Sequence, residues 1–84
     1  MQINLFITYP GQQPKQVVAV APEIVAFESH FNTSVTSLEK EVRYTYLCFL
    51  AWHVEKRTKA TDLDFDSWVN TIELVTGEEK KSKG

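Results

Sequence analysis

The stretch Tyr44-Thr45-Tyr46-Leu47-Cys48-Phe49-Leu50-Ala51-Trp52-His53-Val54 constrains this chain more than any other segment. Wound as a helix, it carries apolar or aromatic side chains at nearly every azimuth. Such a helix is either enclosed at the centre of its domain or meets a partner with whatever face the domain leaves uncovered. The chain has 84 residues, 43% of them apolar, which is enough for one domain with a thin core. Two strands and two short helices cover such a helix with difficulty. Part of its aromatic surface is therefore expected to face a partner. The stretch is also about half the roughly 20 residues that a membrane span requires, so no membrane partner is expected.

The flanking segments supply the other elements. Ile3, Leu5, Ile7 and Tyr9 alternate with Asn4, Phe6 and Thr8, the period-two pattern of a strand. Pro10-Gly11-Gln12-Gln13-Pro14 is a turn cluster, and Gln16 to Val20 return as the second strand of a hairpin. Pro22 and Glu23 open a helix whose apolar stripe is Ile24, Phe27 and Phe31. Thr36-Ser37-Leu38-Glu39 fits a capping box and predicts one long helix running to about Lys59. A last helix is predicted from Asp64, with Phe65, Trp68, Val69 and Ile72 as its stripe and Gly77 just past its end. The expected fold is α+β: an N-terminal β-hairpin followed by three helices, the second long and central. Residues 1–76 form the single domain and residues 77–84 a charged flexible tail, because that end carries no apolar residue.

Catalysis has little to build on. The net charge of −2 gives no basic excess for a phosphate backbone, so nucleic acid is not an expected partner. The candidate reactive side chains are Cys48, His30 and His53. Cys48 lies among Leu47 and Phe49, where an apolar setting raises a thiol's pKa and makes it inert. The two histidines form no zinc spacing, and no glycine-rich phosphate loop or paired-carboxylate motif is present, so no cofactor is expected. Asp62, Asp64, Asp66 and Glu73 match calcium-loop positions 1, 3, 5 and 12. However, Ser67 stands where that loop needs glycine, and helix capping by Asp64 with Asp66 in the first turn explains the same acids. No metal site is expected. The N-terminus lacks a basic region and a long apolar run, so no secretory signal is expected and the protein is expected in the cytoplasm.

Four segments in fixed order then carry a resemblance: Pro22-Glu23-Ile24-Val25-Ala26-Phe27-Glu28-Ser29-His30-Phe31, Leu47-Cys48-Phe49-Leu50-Ala51-Trp52-His53, Asp64-Phe65-Asp66-Ser67-Trp68 and Glu73-Leu74-Val75. Over about Ile3 to Val75 the chain resembles the small tail assembly chaperones of long-tailed bacteriophages and prophages. The resemblance implies a non-enzymatic assembly factor in the host bacterial cytoplasm that is absent from the finished virion. Its partners would be the tape measure protein, whose long apolar helices it keeps soluble, and tail tube subunits. Many such proteins have a longer form made by frameshifting, which the family places near Glu78-Glu79-Lys80-Lys81.

Both lines of reading meet on the aromatic helix. Tyr44, Tyr46, Phe49, Trp52, His53 and Trp68 are the expected partner-binding residues, since tyrosine and tryptophan offer large contact area with a polar handle. The same face could close on a second copy as a homo-oligomer. Two other roles stay open: a small phage or prophage regulator that binds a host protein through its acidic helix edge, and a minor structural component of the virion.

Overall fold

The computed structural model describes residues 2–77. Strands β1 (Ile3–Thr8) and β2 (Lys15–Ala19) form the expected antiparallel hairpin, with Leu5 opposite Val17 and Ile7 opposite Lys15. The connecting loop is a type II turn. The Gln12 N–H donates to the Tyr9 carbonyl at 3.0 Å, and Gly11 takes the positive φ of 75° that the third turn position demands. Helix α1 (Ala21–Phe31) follows directly. Glu23 reaches back to the Val20 N–H at 3.0 Å, and Asn32, in the left-handed region at φ 54°, ends the helix.

The predicted long second helix is two helices. α2 (Ser37–Lys40) is one short turn, residues 41–43 are irregular with Glu41 and Arg43 extended, and α3 (Tyr44–Arg57) begins only at Tyr44. Thr36 makes no side-chain cap, so the capping-box signature does not mark the start of the long helix. The break follows from size. A continuous helix from 36 to 59 would be about 36 Å long, longer than the 32 Å greatest extent of the molecule. As observed, the 14 residues of α3 span about 21 Å, which matches about 20 Å for the six residues of β1. Breaking the helix lets Val35 and Leu38 fold back onto the core.

The last predicted helix is also shorter than its stripe suggested. α4 (Phe65–Val69) starts as expected, with the Ser67 N–H donating to Asp64 Oδ1 at 2.8 Å. It ends at Val69, where Thr71 Oγ1 donates to the Trp68 carbonyl at 2.7 Å. The chain then forms β3 (Leu74–Gly77), which pairs antiparallel with the far side of β1, Thr8 opposite Leu74 and Leu5 opposite Gly77. Gly77 therefore belongs to a strand and not to a tail, and the remainder of the predicted tail lies outside the described residues. The sheet order is β2-β1-β3.

The strand pattern places odd-numbered residues on one face. Leu5, Ile7, Val17, Ala19 and Val75 are buried there under α3, with Phe27 from α1, Leu50, Ala51 and Val54 from α3, and Trp68 from α4. The architecture is one three-stranded antiparallel sheet with helices on a single face, mixed α and β as expected. The even-numbered face, with Asn4, Phe6, Thr8, Gln16, Val18 and Leu74, keeps its side chains half-buried or exposed.

Candidate functional site

Two glutamates are fully enclosed, and each is saturated by partners. Glu55 Oε1 accepts from the Tyr9 hydroxyl at 2.8 Å, and both its oxygens accept from Lys15 Nζ at 3.1 and 3.0 Å. The Trp68 indole N–H donates to the Tyr9 hydroxyl at 3.1 Å, which joins α4 to the chain of bonds. Burial pushes the Tyr9 phenol up to about 12, the Trp68 bond opposing and the neighbouring Glu55 carboxylate adding to the rise. Glu23 accepts from Arg57 Nε at 2.7 Å, Arg57 Nη2 at 3.0 Å, His53 Nδ1 at 2.7 Å and the Val20 N–H. Burial alone would raise its pKa. The bonds from Arg57, Val20 and His53 outweigh that effect and hold it below the usual carboxylate value. These two networks tie α3 to β1, β2, α1 and α4. Their hydrogen-bonding capacity is spent on the fold.

The aromatic residues form a second internal system. Phe27 meets Tyr46 edge-on at 5.0 Å and Phe31 at 5.1 Å, and Phe31 contacts Phe49 at 5.3 Å. His30 stacks on Phe49 at 4.7 Å and 17°, and Trp52 stands edge-on to Phe65 at 5.7 Å. Lys56 Nζ lies 5.4 Å from the Trp52 ring centroid.

Six residues were expected to present a binding surface, and the fold distributes them. Phe49 and Trp68 are buried in the core, so they are corrections to that expectation: the sheet needs large apolar groups against it and takes them. Tyr46 is half-buried against Phe27 and Phe31. Trp52 is half-buried and donates its indole N–H to the Leu63 carbonyl at 2.9 Å. His53 is engaged with Glu23. Tyr44 alone of the six is exposed, at 49%. Its hydroxyl accepts from the Val75 N–H at 3.0 Å, so the ring is held at a fixed place beside β3.

Tyr44 also lines an open groove of about 180 Å³ with Thr45, Cys48, Phe65, Asp66 and Val69. The geometry is simple: Tyr44 and Cys48 are one turn apart on α3, Phe65 and Val69 are one turn apart on α4, and the trough lies between them. Burial pushes the Cys48 thiol up, and the nearby Tyr44 hydroxyl only partly offsets this. Cys48 therefore contributes to the groove as a small apolar wall. Sequence reading grouped Tyr44 with its aromatic neighbours along the chain and missed Phe65, Val69 and Cys48. The signal that would have found them is the pair of i, i+4 apolar rows.

The calcium-like acids do not converge. Asp64 caps α4, Asp66 lies in its first turn, and the Glu73 N–H donates to the Thr8 carbonyl at 2.8 Å as the chain enters β3. Among the described residues no three histidine, cysteine, aspartate or glutamate side chains come together as a metal site, and no helix is long and apolar enough to cross a membrane. No family model matches this chain, and neither a curated protein nor a solved structure matches it.

Proposed function

We propose that this protein is a non-catalytic binding protein that receives an apolar helical segment of a partner in the groove between α3 and α4. We propose further that it serves as a tail assembly chaperone, with the tape measure protein as the partner so held. The observation that carries the reading is the exposed Tyr44 above a trough walled by Cys48, Phe65 and Val69. A row of apolar side chains one turn apart on a partner helix would seat between the two rows of the groove, with Tyr44 as the large anchor at its rim. The polar networks around Glu23 and Glu55 hold α3 and α4 in place, so the groove exists before a partner arrives and little ordering cost falls on binding.

Co-purification with a tape measure protein is the direct test. Val69→Asp places a charge on the groove wall and is expected to abolish capture. Since Val69 also packs against the core, Thr45→Arg, at an exposed position of the same groove, is expected to weaken capture while leaving the circular dichroism of the domain unchanged. Tyr44→Asp is expected to weaken capture and, because Val75 loses its acceptor, to loosen β3 as well. Undiminished capture by the Val69→Asp protein would exclude the groove. Absence of any capture by the unmodified protein would exclude the partner.

A further inference from the structure

The two edges of the sheet differ in a way that points to an interface independent of the groove. The Val75 N–H turns away from β1 toward the Tyr44 hydroxyl, so in β1 the odd-numbered residues direct their backbone groups toward β2. Lys15, Val17 and Ala19, which face Ile7, Leu5 and Ile3 in register, are thus the hydrogen-bonded pairs of the hairpin. It follows from strand geometry that the N–H and C=O groups of Gln16 and Val18 point outward from the free edge of β2. On the β3 edge a phenol covers the outward Val75 donor. On the β2 edge no hydrogen bond of the described residues covers Gln16 or Val18.

Free edges are normally guarded by charge, most often lysine, or by proline or a bulge. β2 has one charged residue, Lys15, and its ammonium group is drawn onto the inner face by both oxygens of Glu55. From Pro10 to Pro22 there is no other charge. Helix α1 packs on α3 and β2, and of its exposed positions Ala21, Pro22, Val25, Ser29 and His30 none is acidic, lysine or arginine, while His30 is stacked on Phe49 of α3. The uncharged surface therefore continues from the strand edge onto the adjoining helix.

We propose that a second copy of this chain pairs with this edge, β2 against β2 antiparallel about a two-fold axis through Val17. This register is self-complementary. Gln16 of each copy lies opposite Val18 of the other, and these two equivalent pairs make four backbone hydrogen bonds across the axis. Lys15 lies opposite Ala19, so the two lysines do not face each other, and each keeps its own Glu55. The product is a six-stranded sheet in the order β3-β1-β2-β2-β1-β3. Tyr44, fixed to β3 at the outer edges, remains open in both copies. The inference does not depend on what fills the groove.

The test combines sedimentation velocity with amide exchange on the full chain. As concentration is raised toward about 1 mM, the mean mass is expected to rise from 9.7 kDa toward twice that value. The Gln16 and Val18 amides are expected to exchange more slowly in step. Gln16→Lys with Val18→Lys sets lysine against lysine in both symmetric pairs and is expected to weaken the dimer about tenfold. Gln16→Lys with Val18→Glu sets lysine against glutamate and is expected to restore it. All of these positions are at the edge, and circular dichroism checks that each variant folds. A chain that stays monomeric throughout, or one that self-associates without slowing these two amides and without responding to the charge pairs, overturns the proposal.

Discussion

Glu23 Oε2 lies 2.7 Å from Arg57 Nε, joining the first turn of α1 to the last turn of α3 across 34 residues of sequence. The carboxylate is fully enclosed and its pKa is held below the ordinary 4.5, the bonds from Arg57, Val20 and His53 outweighing burial. A carboxyl with a depressed folded-state pKa stabilises the fold fully above its unfolded value and loses that contribution as pH falls through the folded one. The melting temperature is therefore expected to fall as the pH drops below 4.5. Glu23→Gln should flatten that acid limb and lower stability at neutral pH by about 2–3 kcal/mol. Thermal melts of both proteins between about pH 2 and 6 check it.

At the alkaline end the same logic applies to Tyr9 with the opposite sign. Its folded pKa of about 12 exceeds the ordinary 10.0 because burial disfavours the phenolate. The contribution is complete below 10.0 and is lost as pH rises toward about 12. Ultraviolet titration of the phenols is expected to show Tyr9 ionising about two units above an ordinary tyrosine, or only on unfolding. Tyr9→Phe removes that component. It leaves the Trp68 N–H without its acceptor and removes one of the two donors to Glu55 Oε1, which keeps Lys15, at a cost of about 1–3 kcal/mol.

The two tryptophans should behave differently. Trp68 is 1% exposed, whereas Trp52 is half-buried. Acrylamide quenching is expected to resolve one shielded and one accessible emitter. Trp52→Phe should remove the accessible one while the domain stays folded. Trp68→Ala opens a cavity at the meeting point of α4 and the sheet and is expected to cost about 3–5 kcal/mol, a large part of the total stability of a domain this size.

Cys48 is 3% exposed and its thiol is raised by burial. Its reaction with a disulfide reagent is expected to be at least about tenfold slower in the native protein than in denaturant. A fast native reaction would mean that the α3–α4 groove opens far more readily than its packing indicates.

The two hairpin strands, the α1 start and the Asp64 cap were legible in the sequence because each rests on local chemistry: alternation at Ile3 to Tyr9, proline with glutamate at Pro22-Glu23, and a carboxylate one turn before Ser67. The break at 41–43 was not legible. Glu39, Lys40 and Glu41 favour a helix locally, and only the width of the sheet limits how long α3 can run. β3 was hidden for a related reason. Ile72 completes a helical stripe with Phe65, Trp68 and Val69, yet β1 has a second edge to fill, and pairing with Thr8 and Leu5 decides between two local options. The aromatic helix was expected to carry more apolar surface than the domain covers, and most of it is buried or half-buried within the domain. Its saturation by Phe27, Phe31 and Phe65, which left Tyr44 as the exposed member, depended on distant partners that spacing along one helix does not reveal.

β3 carries one more consequence. Its four residues are the last to be made of the described fold, and they pair with the first strand to be made. Until Leu74 to Gly77 are available, β1 has one bare edge and Tyr44 has no Val75 to receive. A chain ended before β3 leaves that edge of β1 unpaired and removes Val75 from the core, and it is expected to be digested faster than one that includes the strand. Chains ending after 73 and after 77, compared by protease digestion, would show the difference.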